Sequence, residues 1–152
     1  LPISRVGLSE RDAKDKKIAY NVSRYDLAEL DRAITDEAAR GFVKVLTAKG
    51  SDRILGATIV GEHAGEMLAE FVLAMKHGLG LNKILGTIHT YPTFSEAAKY
   101  AAGAWKRSQV TRGQLDFLAA FHAYSRGDSS LGAMATRLPA LVHDKNPAHP
   151  PE

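Results

Sequence analysis

The stretch His89-Thr90-Tyr91-Pro92-Thr93-Phe94-Ser95-Glu96 gathers an imidazole, a phenol, three aliphatic hydroxyls and a carboxylate on one short segment. Thr93 and Glu96 have the T-x-x-E spacing of a capping box, in which the two ends of a helix's first turn satisfy each other's orphan amides. The segment is therefore expected to be a loop fixed to the start of a helix. Polar groups on a rigid element can be held at the geometry that binding or proton transfer needs. His89 and Glu96 would form an acid–base pair if the fold brought them together, whereas capping alone already accounts for Glu96. His63 and Glu66 stand three apart at another helix start and could share a metal. Two ligands are too few for a site, and Glu66 suits the positive end of a helix, so no metal site is expected. No two of the six histidines have the i, i+4 spacing of a zinc-binding helix.

Other chemistry is excluded by what is missing. The chain has no cysteine, hence no disulfide, thiolate nucleophile or sulfur-ligated metal of its own. Gly56, Gly61, Gly65, Gly78 and Gly80 do not fall into a G-x-G-x-x-G fingerprint, and neither a P-loop nor a G-x-S-x-G elbow is present. The chain is expected to bind neither FAD nor NAD(P)H by itself. With 152 residues, 45% hydrophobic and a formal charge of +3, it has enough material for a genuine core but no basic face for a nucleic acid. The local cluster from Lys106 to Arg112 reads as a solvated helix end. No apolar run approaches the roughly 20 residues of a membrane span. A start at Leu1-Pro2 suggests a piece excised or processed from a longer chain, and the cytoplasm is the expected compartment.

The elements that must position the His89–Glu96 segment can be traced along the chain. Ser4 to Leu8 reads as a strand, after which Ser9 caps a brief helix to about Lys16. Lys17 to Tyr25 alternates, with Ile18, Tyr20 and Val22 on one face and Asn21 and Ser23 on the other. Asp26 to Glu37 is expected to be an irregular connection. Gly41 to Thr47 and Arg53 to Val60, joined by a polar glycine-containing link, predict an antiparallel hairpin. A helix over about Ala64 to His77 should bury Met67, Leu68, Phe71, Val72, Met75 and Leu79. Leu81 to Leu85 reads as a further turn of helix. A long helix after Thr93, to about Arg107, carries Ala97, Ala98, Ala101, Ala102, Gly103 and Ala104. Those small residues allow close approach, and a partner chain is expected near Trp105. A third helix from Gly113 carries Leu115, Phe117, Leu118, Phe121 and Tyr124, a fourth carries Leu131, Met134 and Leu138, and the proline-rich end is expected to fray. A sheet followed by helices makes the fold α+β, an antiparallel β-sheet packed against α-helices with a helical C-terminal tail.

Four stretches in this order carry a family resemblance. They are Val6 to Glu10; Gly41 to Thr47 with Arg53 to Gly61; Gly61-Glu62-His63-Ala64-Gly65-Glu66; and Tyr91 to Glu96. Together they resemble the C-terminal dimerisation domain of the pyridine nucleotide-disulfide oxidoreductases, the family of glutathione reductase, dihydrolipoamide dehydrogenase and mercuric reductase. The resemblance covers roughly Ser4 to Arg107. It implies a dimerisation domain over residues 1–112 with a C-terminal extension over 113–152. It also implies a homodimer and a parent flavoprotein carrying FAD, NAD(P)H and a cysteine pair on upstream domains. In the disulfide reductases the loop reads His-Pro-Thr-x-x-Glu, and its His–Glu dyad reaches into the partner's active site. That pattern places Tyr91 at the histidine and Glu96 at the glutamate, so Tyr91 and Glu96 are the implied catalytic residues. Tyr at this position resembles the mercuric reductase branch, although the cysteine pair near that branch's C-terminus has no counterpart here. A phenol, with an ordinary pKa near ~10, cannot cycle protons near neutrality as imidazole does. Two readings compete with this one: a stand-alone dimerisation or binding module without catalysis, and an unrelated α+β enzyme using His89 with Glu96.

Overall fold

In the computed structural model, which describes residues 1–127, the expected hairpin forms from β3 (Phe42–Ala48) and β4 (Ile54–Val60). Val43 pairs with Ile59 and Val45 with Ala57, which sets four apolar side chains on one face of the sheet. On either side of the hairpin lie β1 (Ile3–Gly7) and β2 (Tyr20–Asp26), giving a four-stranded antiparallel sheet in the order β1-β4-β3-β2. Gly56 is required where β1 leaves the sheet, because a Cβ there would collide with the backbone of Leu8.

The helix-covered face is the one bearing Val43, Val45, Ala57 and Ile59. Helix α3 (Ala64–Lys76) packs on β4 and β1, and Met67, Phe71 and Ala74 join those strands in the main core. Its other apolar residues do not all follow. Val72 and Leu79, expected in the core, are exposed, and Leu68 and Met75 are only partly buried. The apolar stripe of α3 is wider than the sheet beneath it, so its flank is left outside. A second correction concerns β2. Ser23 and Tyr25 are buried and Val22 is exposed, because pairing with Val45 and Val43 turns them toward the helices. Tyr20 packs on the opposite face with Ala13, Leu46 and Leu55, beneath α1 (Glu10–Asp15). That helix has the expected cap, a full box between Ser9 and Asp12.

The segment after β2 is more regular than expected. A 3-10 turn (Leu27–Glu29) leads into α2 (Asp31–Thr35), anchored by the buried Leu27, Leu30 and Ala33. Short polar stretches read as irregular from propensity, but three buried apolar side chains fix the backbone here. Beyond α3 come α4 (Leu81–Leu85) and α5 (Glu96–Gln109). The small residues of α5 serve the subunit's own core. Ala97, Ala98, Ala101, Ala102 and Trp105 are buried in the same cluster as Val43, Phe71 and Leu81, so these side chains are already packed within the chain.

The described residues fall into two compact units, one from Leu1 to Lys106 and a second beginning at Arg107. In the second, α6 (Arg112–Ser125) starts from a capping box between Thr111 and Gln114, and Leu115, Leu118 and Phe121 stand exposed along it. The fourth helix and the frayed end expected after Gly127 lie outside the described residues. No helix among the described residues is long and apolar enough to cross a membrane.

Candidate functional site

The loop from Thr87 to Ser95 is held from three directions. At its start, the Thr87 hydroxyl donates to the Lys83 carbonyl, 2.7 Å away, tying the loop to the end of α4. In its middle, the ring of His89 lies 2.9 Å from the Thr87 carbonyl through Nδ1 and 2.8 Å from Glu70 Oε1 on α3 through Nε2. At its end, the Thr93 amide donates to Glu96 Oε2 at 3.1 Å, half of the expected capping box. The Thr93 hydroxyl does not complete the box. It donates to the Thr90 carbonyl at 2.6 Å and lies 2.8 Å from the Ser95 hydroxyl, closing the loop on itself. Phe94 packs against the main core and meets the ring of His63 at 4.6 Å.

These anchors leave Tyr91 presented outward, 66% exposed, with a cis peptide bond to Pro92. Its hydroxyl donates to Asp31 Oδ2 at 2.9 Å. That bond, and then the charge of Asp31, push the phenol's pKa above its ordinary value. Tyr91 is thus neutral over the physiological range and cannot serve as an anionic base. Because its proton is directed at Asp31, the oxygen's lone pairs are what remain to interact with another group. Glu96 does not reach Tyr91 through a hydrogen bond. It is buried at the root of α5, where it braces Thr93. Burial first, and Glu96 second, raise the Tyr100 pKa. Tyr100 in turn stacks on Tyr25 at 5.2 Å, and Tyr25 is pushed up to about 12, chiefly by burial.

The structure therefore places Tyr91 and Glu96 on one loop with separate partners. It does not join His89 to Glu96, since both ring nitrogens of His89 are taken by Thr87 and Glu70. His63 and Glu66 stay apart from any metal constellation: among the described residues, no three His, Asp or Glu side chains converge as ligands. Two residues of the site, Asp31 and Glu70, carry no local signal in the sequence. Asp31 lies 60 residues from Tyr91 and Glu70 lies 19 from His89, and only the tertiary fold brings each pair together.

Comparison with known proteins puts this geometry in context. The family described as the pyridine nucleotide-disulphide oxidoreductase dimerisation domain matches residues 1–102. A mitochondrial dihydrolipoyl dehydrogenase of Dictyostelium discoideum is 45% identical over 100 residues, covering 66% of this chain and 20% of that protein. Dihydrolipoyl dehydrogenase 3 of Haloarcula marismortui is 38% identical over 110 residues, covering 72% and 23%. Among solved structures, the HOCl-induced flavoprotein disulfide reductase RclA of Escherichia coli superposes with a TM-score of 0.64 at 27% identity, covering 67% of this chain and 23% of that one. The chain spans about a fifth of the length of the curated relatives it matches. By its residues 1–102, the chain belongs to the dimerisation-domain family of the pyridine nucleotide-disulphide oxidoreductases.

Proposed function

We propose that this chain is the dimer-forming part of an FAD- and NAD(P)H-dependent disulfide oxidoreductase, and that it offers Tyr91 to the redox site of a second, identical subunit. The observation that carries this reading is the Tyr91 side chain itself. It stands exposed on a loop tied to α3, α4 and α5, at the position that the family resemblance gives to a residue acting in trans. FAD and NAD(P)H belong, in this reading, to other domains of the parent, since the chain has no glycine-rich loop to cradle a pyrophosphate. When bound there, they supply the electrons. This chain supplies position and hydrogen bonding. Asp31 holds the phenolic proton, the Tyr91 oxygen accepts from a thiol at the partner's site, and Glu96 keeps the loop on α5. Two of the three proteins named above are dihydrolipoyl dehydrogenases and the third a flavoprotein disulfide reductase, and the likeness to the mercuric reductase branch rests on Tyr91 alone. A disulfide or dithiol is accordingly the substrate class proposed.

The contact between copies has a candidate surface. Gly65, Ala69, Val72 and Leu73 follow one another at i, i+4, i+7 and i+8 on the outward side of α3, and all are exposed. Such a stripe is what a helix buries against another helix, and its two small residues allow a close approach. Ile88, 95% exposed, lies next in the chain to His89, whose bond to Glu70 sets the loop beside the same helix. The test of the site reading is Tyr91→Phe in the full-length flavoprotein. Turnover is expected to fall about tenfold or more, as for loss of one transition-state hydrogen bond, with the melting temperature unmoved. Unchanged turnover would leave the loop as architecture.

A further inference from the structure

Asp31 stands exposed on the first turn of α2, and its carboxylate is turned to the same place as Tyr91. Oδ2 accepts the Tyr91 hydroxyl at 2.9 Å, a bond that orients the phenol without cancelling the charge on the carboxylate. Arg32, next to it in the chain, is bound instead to Asp36, 2.7 Å away. Among the described residues no lysine, arginine or histidine forms an ion pair with Asp31. Glu96 adds a further negative charge at the root of the loop. The phenol registers both: its pKa is raised first by the hydrogen bond and charge of Asp31, and to a smaller extent by the charge of Glu96.

The neutral phenol offers its oxygen to a sulfur of the partner's site, and whatever reaches that oxygen also meets the field of Asp31. A thiol bonded to the Tyr91 oxygen would lie about 5 Å from the carboxylate. A substrate sulfur joined to that thiol would stand one S–S bond, about 2 Å, beyond it. A unit charge roughly 8 Å from a carboxylate changes a rate or affinity by about twofold in a water-like dielectric, and by more as water is excluded. We propose that Asp31 is a specificity-determining residue, whose carboxylate, held beside Tyr91, disfavours disulfides and dithiols with a negative charge near the sulfur and favours neutral or cationic ones. The inference rests on the reading that Tyr91 enters the partner's redox site. A charge in the first turn of α2 also suits the positive end of that helix. A role confined to the helix would alter the rates on all substrates together, whereas a field at the reacting sulfurs separates them by charge.

The experiment uses the full-length flavoprotein, reduced with stoichiometric NAD(P)H and mixed by stopped flow with disulfides built on one scaffold. These are the anionic 3,3′-dithiodipropionate, the neutral bis(2-hydroxyethyl) disulfide and the cationic cystamine. Each takes two electrons and two protons from the enzyme dithiol, leaving as two thiols while the enzyme disulfide re-forms, and the second-order rate constant is read. Asp31→Asn keeps an amide oxygen to accept from Tyr91 but removes the charge. At low ionic strength its cation-to-anion ratio of rate constants should fall about fivefold from the parent's, one near charge of each sign contributing. The shift should shrink in high salt. Asp31→Glu keeps the charge and should keep the parent's ratio. Rate constants on all three disulfides that move by one common factor in Asp31→Asn would overturn the proposal, as would a shift that salt does not diminish. Tyr91→Phe tests the underlying reading separately, since it removes the hydroxyl and leaves the carboxylate. Slower turnover in that variant with an unmoved ratio in Asp31→Asn sinks the charge selection alone. Unchanged turnover in Tyr91→Phe with a shifted ratio in Asp31→Asn sinks the hydrogen-bonding role of Tyr91 alone.

Discussion

Tyr91 and Asp31 form the pair through which single residues can be questioned most closely. With the carboxylate replaced by an amide, the phenol keeps only an uncharged, weaker acceptor and the phenolate is no longer repelled, so Asp31→Asn should make Tyr91 ionise at lower pH. Following tyrosinate absorbance through an alkaline titration checks this, with Tyr91→Phe identifying the component that moves. A titration curve identical to the parent's would show that Asp31 does not hold the phenolic proton in solution. At this scale the sequence made Tyr91, Thr93 and Glu96 visible, because capping and loop chemistry act between near neighbours. Asp31 and Glu70 were not legible. Nothing about an aspartate in a polar stretch, or a glutamate on a helix, announces a partner on a different element.

The secondary elements divide along the same line. Helix α3, the β3–β4 hairpin and the Ser9 cap are set by periodicity and by contacts within a few residues, and all three were readable. The faces of β2 and the helical character of Asp31–Thr35 were not, since register with β3 and burial of Leu27 and Leu30 decide them. Helix α5 tests the packing account. Ala101 is fully buried among the helices and the sheet, so Ala101→Leu should overpack the core and cost about 1–3 kcal/mol in urea unfolding. A neutral result would mean that this face of α5 is not packed as described. Tyr25 sits under the same helix, and its folded pKa of about 12 exceeds the ordinary 10.0. The neutral phenol is favoured in the fold, so this contribution to stability is complete below pH ~10 and is lost as pH rises through about 12. Tyr25→Phe should therefore flatten the fall in stability over that alkaline window, measured by denaturant midpoints at successive pH values. An equally steep fall in the variant would assign the alkaline instability to other groups.

For the whole molecule the question is which surface would meet the second copy in the proposed homodimer. The outward stripe of α3 gives a direct prediction: Leu73→Asp, at a position 57% exposed, should leave the chain folded but shift sedimentation equilibrium from dimer toward monomer. Each copy would bring a charge to a two-fold contact, where burial without a partner is unfavourable. A dimer unchanged by this variant would move the interface off α3. The central claim, that Tyr91 acts on the partner's redox site, is tested most directly by subunit complementation in the full-length flavoprotein. One subunit carries Tyr91→Phe; the other keeps Tyr91 but has its redox cysteines replaced by serine. If Tyr91 works in trans, the mixed dimer has one site with both intact cysteines and an intact Tyr91, and turnover should reappear above that of either variant alone. If Tyr91 works within its own subunit, every site in the mixed dimer keeps its lesion and mixing would restore nothing; if it does not work at all, the Tyr91→Phe enzyme alone would already turn over at the parent's rate.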